Sequence, residues 1–473
     1  MMLLSGDWVL PVSDSPMAQG AVLVSDGAIA AIGTAAELKA RYGEEEVLEF
    51  PGCAILPGFV NAHTHLEYSA FRGFASPSGF SRWLLRLLRA RRKVADEDWA
   101  AAALWGAHES LRNGITSIAD TSYHGVAVAQ AAQAVGLRAR VYLELFGLDD
   151  TRLSTSIERL EASLDHARRM VGAAGGAVDT IEMPVEWGIS PHAPYTVSQR
   201  LYEEAARFGQ DAGLRLATHV AESHSEKRLL GGSMSTLALA YRATRLWTGR
   251  CWRPPRMTPV QYVAGTGALG PDMLVVHAVQ GNGDDIAILA GSGCAVVHCP
   301  RSNMRLGCGR APVAEMKAAG ILVGLGTDSL ASNDSLDMLA EMRAAMEVSE
   351  ARGAREKSLR PGMILRMATL DGAQALGWGH LVGSLEAGKR ADMVVVRLRA
   401  EDLPNAGRMP QRVGLGPPGP DRAEQMDILA QAVMRAEVQM TMVDGKIVYG
   451  GEEIPADVAR GFRTARTRLG LRV

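Results

Sequence analysis

Between positions 59 and 328, short runs of aliphatic and β-branched residues alternate with longer amphipathic stretches, and the runs end on residues able to do chemistry. Eight such runs end near His63/His65, Asp120, Glu144, Ser190/His192, His219, His277, His298/Pro300 and Asp328. Helical periodicity at 99–113, 198–212, 284–290 and 336–349 falls between or after them. Repeated strand–helix alternation builds a parallel sheet with crossover helices. Eight units can close into a barrel, whose functional groups gather at the C-terminal ends of the strands. The expected fold is therefore α/β, a (β/α)8 TIM barrel with its polar chemistry at one mouth.

The two chain ends read differently. Short apolar runs there are punctuated by Asp-Gly pairs, Asp26-Gly27 near the start and Asp444-Gly445 near the end, and Asp-Gly between apolar runs is a strong hairpin signal. A further strand is expected at 391–396. The ends are thus expected to pair into a small β-sandwich domain, 1–56 with 385–473, around a barrel spanning 57–384. Two stretches fall outside the repeat, 231–259 (rich in Arg, Trp and Pro) and 405–421 (rich in Pro and Gly). The first is long enough to wall a pocket, and equally readable as a surface excursion.

Composition removes several classes of function. With 47% hydrophobic and 22% charged residues the chain is of soluble globular type. Fifty Lys+Arg balance 52 Asp+Glu, without a long basic tract, so nucleic acid is not an expected partner. Five scattered cysteines, none in a C-x-x-C pair, indicate reduced thiols rather than a disulfide framework. No window approaches 18 consecutive apolar residues, and Asp7 interrupts the first apolar stretch without a basic leader, so a cytoplasmic protein without membrane insertion is expected. The sequence leaves homo-oligomerisation open.

In Asn61-Ala62-His63-Thr64-His65 the two imidazoles are two residues apart on a strand and point the same way. Alone, such a pair is more often two partly exposed histidines than a metal site. Three further strand ends change that reading by supplying His219 with Glu222, His277 and Asp328. Imidazoles and a carboxylate are donors that Zn²⁺ favours and that Fe²⁺ also accepts, so His63, His65, His219 and Asp328 are the expected ligands of one divalent ion. Such an ion lowers the pKa of its bound water from roughly 15.7 to about 7, giving hydroxide at neutral pH. Glu222 also reads as a solvated acid opening a helix, since Glu226 follows at i+4.

Leu56-Pro57-Gly58-Phe59-Val60-Asn61-Ala62-His63-Thr64-His65, His219-Val220-Ala221-Glu222, Val276-His277-Ala278-Val279 and Gly326-Thr327-Asp328 together resemble the amidohydrolase superfamily nearly end to end. Gly188-Ile189-Ser190-Pro191-His192-Ala193-Pro194-Tyr195, Ser302-Asn303-Met304-Arg305-Leu306-Gly307 and Ser329-Leu330-Ala331-Ser332-Asn333 are similar to the branch of methylthioadenosine/S-adenosylhomocysteine deaminases, aminofutalosine deaminases and triazine chlorohydrolases. The resemblance implies a mononuclear site and a small heterocyclic substrate. It implies that Glu222 passes a proton to the ring nitrogen, that His277 orients the attacking hydroxide, and that Asp328 both ligates and accepts a proton. It makes Glu67, Trp83, His192 and Asn303 substrate contacts, although His192 also reads as a packing histidine.

Methylthioadenosine/S-adenosylhomocysteine deaminases carry a ribose-binding glutamate nine residues after the tryptophan matched by Trp83, where this chain has Arg92. His65-Leu66-Glu67-Tyr68-Ser69 instead resembles aminofutalosine deaminases. The implied activity is hydrolytic deamination of an adenine-type nucleoside with release of ammonia, aminofutalosine first, then S-adenosylhomocysteine, methylthioadenosine or adenosine. The alternatives are a hydrolase of C–N or C–Cl bonds in a triazine- or guanine-type ring, and a non-catalytic barrel scaffold.

Overall fold

The computed structural model describes every residue except 43–45, 76–78, 173–184, 244–252, 353–357, 404–419 and 472–473. Nearly all of 405–421 and the middle of 231–259 therefore lie outside the described residues. The chain divides into two units, one of Met1–Asn61, Glu109–Ser117 and Asp337–Glu453, the other of Ala62–His108, Ile118–Leu336 and Ile454–Val473.

Both chain ends contribute to one mixed sheet. Its strands are β1 (Met2–Val9), β2 (Met17–Ala18), β3 (Gly20–Ser25), β4 (Ala28–Thr34) and β5 (Glu46–Pro57) from the start of the chain. After the barrel strands come β14 (Met393–Arg397), β15 (Glu437–Val443) and β16 (Lys446–Tyr449). They lie in the order β16-β15-β14-β5-β1-β3-β4, with β2 on β1. The predicted Asp-Gly turns join β3 to β4 and β15 to β16. Asp26 and Gly27 have φ of 53° and 74°, and Asp444 and Gly445 have 51° and 75°, the paired left-handed geometry that a two-residue hairpin requires. Leu4, Val22, Ile55, Met393, Val395 and Met442 pack into a fully buried cluster, which explains the alternating apolar pattern of these strands.

The barrel strands are β6 (Phe59–Thr64), β7 (Ile115–Ser122), β8 (Arg138–Leu145), β9 (Glu186–Pro191), β10 (Arg215–Val220), β11 (Met273–His277), β12 (Ala295–His298) and β13 (Val323–Leu325). They lie side by side in chain order, each at one of the eight expected runs. Neighbours from β8 to β13 pair in parallel, with helices such as Gln199–Ala212 and Gly283–Ser292 between strands. Ser198 caps the first of these and Asn282 the second, each accepting a backbone N–H of the first turn. The fold is the expected (β/α)8 barrel, with a separate sheet formed from the chain ends.

The barrel seam closes through a parallel bridge between Thr64 and Asp328, and the Asp328 amide donates to the His63 carbonyl at 3.0 Å. This approach needs glycine at 326. A Cβ there would come within 2.8 Å of the His63 carbonyl oxygen and 2.9 Å of its nitrogen. Gly326→Ala is expected to destabilise the protein by about 1–3 kcal/mol, as overpacking does, read as a lowered Tm in thermal melts. An unchanged Tm would show that the seam relaxes freely.

No helix among the described residues is long and apolar enough to cross a membrane.

Candidate active site

Four strand ends, those of β6, β10, β11 and β13, bring their polar residues to one point in the second unit. His63 and His65 leave β6 on the same side, with ring centroids 4.8 Å apart, and His219 at the end of β10 lies 4.9 Å from His63. The His219 Nδ1–H donates to the His192 carbonyl at 2.9 Å, which turns Nε2 inward as an acceptor. His63 places Nδ1 3.4 Å from the Thr121 hydroxyl, while its Nε2 is buried and has no hydrogen-bond partner. Burial holds the His63, His65 and His219 imidazoles below their ordinary pKa, His65 at about 4. They are therefore neutral at physiological pH, the form that ligates metals.

Asp328 faces these rings from the end of β13. One carboxylate oxygen, Oδ1, lies 3.7 Å from His65 Nε2 and 3.8 Å from His63 Nε2 and accepts the Ser329 amide at 2.7 Å. The other accepts the Ser302 and Ser332 hydroxyls at 2.5 and 2.9 Å. Burial pushes this carboxyl up, but His277, His65, Ser302 and His219 together hold it below its ordinary value.

His277 ends β11 beside this group. Its Nδ1 meets the Asn303 amide nitrogen at 3.1 Å, and its Nε2 lies 3.7 Å from Glu222. Glu222 is set by its own loop. Glu226 accepts the backbone N–H groups of Ala221 and Glu222 at 3.0 and 2.8 Å, and Ser223 completes a capping box. Glu222 itself stays in the site, where burial and then the Asp328 and Glu226 carboxylates push its pKa well above the usual carboxylate range.

The backbone is strained where these residues leave the strands. Ala221, His277, Ala278 and Asp328 have φ of 53°, 77°, 47° and 56°, values that cost of order 1–3 kcal/mol each in a non-glycine residue.

Ligand-type atoms of His63, His65 and Asp328 lie within 4.8 Å of one another, as do those of His63, His219 and His277 and those of Glu222, His277 and Asp328. All the predicted ligands and catalytic candidates are thus brought together. Buried neutral imidazoles, a carboxylate and an orphaned, inward-facing His63 Nε2 make a donor set that fits a divalent cation. The six described lysines lie outside the barrel strands, so none can bridge a second ion there.

The cluster forms the floor of a cavity of about 480 Å³. Trp83 lines it and is fixed by donating its indole N–H to the Ala331 carbonyl at 2.8 Å. His192 also lines it, with Nδ1 held by Thr196 at 2.8 Å. Two expected contacts are elsewhere. Asn303 sits behind His277 rather than in the cavity, and Glu67 is fully buried, its carboxylate accepting the Tyr123 and His124 amides at 3.2 and 2.7 Å.

The basic residue on the cavity wall is Arg91, whereas Arg92 is exposed. Phe80, Trp83, Leu84, Leu87, Leu88 and Arg91 all line the wall, at spacings that keep one helical face. That stripe was the signal pointing to Arg91 rather than its neighbour. Glu144 and Tyr68 also line the cavity and were not among the expected site residues.

Such a cluster at the C-terminal mouth of a parallel barrel defines a hydrolase class, and comparison with known proteins makes it specific. Residues 54–448 match the model of the Amidohydrolase family, and the chain belongs to that family. It is a hydrolase acting on carbon–nitrogen bonds. Residues 20–44 also match an imidazolonepropionase-like composite domain of bacteria. The 5-methylthioadenosine/S-adenosylhomocysteine deaminase of Moorella thermoacetica is 32% identical over 458 residues, covering 96% of this chain and 95% of the relative. The 5'-deoxyadenosine deaminase of Methanothermobacter thermautotrophicus is 31% identical over 403 residues, covering 85% and 86%. Among solved structures, an adenosine deaminase from Xanthomonas campestris with bound zinc superposes with a TM-score of 0.80 at 25% identity, covering 99% of this chain and 98% of that one.

Proposed function

We propose that the protein hydrolytically deaminates an adenine-type nucleoside, releasing ammonia, with one divalent ion, Zn²⁺ before Fe²⁺, held by His63, His65, His219 and Asp328. The observation that carries this reading is the convergence of Glu222, His277 and Asp328 beside the imidazole cluster, on the floor of an otherwise largely apolar cavity. The relatives named as adenine-nucleoside deaminases support it.

A divalent cation at the cluster supplies Lewis acidity and makes solvent nucleophilic at neutral pH. The chain's own residues do the rest. Glu222, kept protonated by burial, donates to the ring nitrogen next to the amine-bearing carbon, which makes that carbon electrophilic. His277, braced by Asn303, orients the incoming oxygen. Asp328 accepts one proton from that oxygen and passes it to the departing amine, while Glu222 recovers its proton from the new hydroxyl, so that the C–N bond breaks and a 6-oxo purine nucleoside and ammonia result.

Trp83, Leu84, Leu87 and Leu88 offer the sugar's 5' substituent an apolar wall, and Arg91 favours a substrate bearing a carboxylate. Aminofutalosine is therefore the first substrate to test, followed by S-adenosylhomocysteine, methylthioadenosine, 5'-deoxyadenosine and adenosine. Metal-loaded protein is expected to release ammonia and deplete adenine absorbance with at least one member of this panel. Turnover of a triazine or guanine-type ring while every adenine nucleoside stays inert would replace the proposal with a different heterocycle hydrolase.

A further inference from the structure

The cavity wall is mostly apolar, and one carboxyl group, within 4.8 Å of His192 and His219, stands out in it. Glu144, at the C-terminal end of β8, lines the cavity with its side chain only 5% exposed. No hydrogen bond from the described residues reaches that carboxyl group, and His192 Nε2 lies 4.0 Å from it. Desolvating a carboxylate without a partner is costly, so a cavity that keeps one is shaped for a ligand that donates to it. Burial, then the Glu67 carboxylate, push the Glu144 carboxyl well above the usual carboxylate range against the pull of Arg91 on the same wall, and the Arg91 charge disfavours an incoming ammonium. The complementary ligand group is then a neutral donor pair. The gap between Glu144 and His192 is wider than a direct hydrogen bond and leaves room for a hydroxyl to contact both.

We propose that Glu144 is the specificity-determining residue that accepts hydrogen bonds from the vicinal hydroxyls of the substrate's sugar. The proposal rests on the adenine-nucleoside reading above. It places sugar recognition on a barrel strand rather than on the helix Phe80–Ala90, whose cavity-facing side chains are apolar.

The test compares adenosine with 2',3'-dideoxyadenosine in the wild type, Glu144→Gln and Glu144→Ala, each metal-loaded to the same content and matched for Tm. Hydrogen bonds between the vicinal hydroxyls and a buried carboxyl group, left unpaired by the dideoxy analogue, predict that the wild type prefers the ribonucleoside by about 10²-fold in kcat/KM. Glu144→Ala should bring that ratio to near unity by losing activity on adenosine alone, mostly through KM, and the isosteric Glu144→Gln should fall between. Equal losses on both nucleosides, or an unchanged ratio, would overturn the assignment while leaving the deaminase reading intact. A wild type inert toward every adenine nucleoside would overturn both, and that result is read before any variant is made.

Discussion

Exchanging His63 for asparagine should leave less than about one-tenth of the wild-type metal on the protein and abolish measurable deamination, a loss of more than about 10³-fold. His63 Nε2 is buried and without a partner, and it faces Asp328 across 3.8 Å. Removing it takes away a donor that no other side chain at that strand end can replace, since His65 already faces the same carboxylate. Without the cation, water keeps a pKa near 15.7 instead of about 7, a difference far larger than any single side chain acting as a base recovers. Metal content by elemental analysis and ammonia release are the two readouts, and adding excess Zn²⁺ should restore part of each. Full metal occupancy in the variant would remove His63 from the ligand set. Wild-type protein that melts normally yet binds neither zinc nor iron would favour a scaffold without catalysis.

The fold was legible because its signal is periodic. Each barrel strand from β6 to β13 coincides with a short apolar run, and the His-x-His pair reads correctly because a strand sends alternate residues to one side. The hairpins at Asp26-Gly27 and Asp444-Gly445 were equally explicit, since that dipeptide adopts the required left-handed pair. The site was less legible in proportion to how far it depends on backbone detail and on distant partners. Glu67 sits two positions after a cluster histidine, which suggested a substrate contact. The 3-10 turn Leu66–Phe71 buries it and commits it to the Tyr123 and His124 amides, 56 and 57 positions away. Asn303 likewise serves His277 from another strand end. Arg91 continues the apolar stripe of Phe80–Ala90 onto the cavity wall, whereas Arg92 is exposed.

Glu222→Gln should lower kcat by about 10²–10⁴-fold, the usual worth of a positioned general acid/base, while metal content stays at the wild-type level and KM changes by only a few-fold. The substitution is isosteric and isolates the proton. Glutamine leaves the capping box intact, because that box is made by Ser223 and Glu226 rather than by the Glu222 side chain. It also leaves the donors of His63, His65 and His219 in place. The buried carboxyl it replaces already lies close to Asp328 and Glu226, which disfavour its ionised form, so a neutral amide should be tolerated and Tm should not fall. A solvated helix-opening glutamate would predict a different result, activity within a few-fold of wild type, and that outcome would remove Glu222 from the chemistry. The combination of low kcat, retained metal and unchanged Tm is what separates proton transfer from both a structural and a ligand role. His63→Asn, by contrast, is expected to lose activity and metal together.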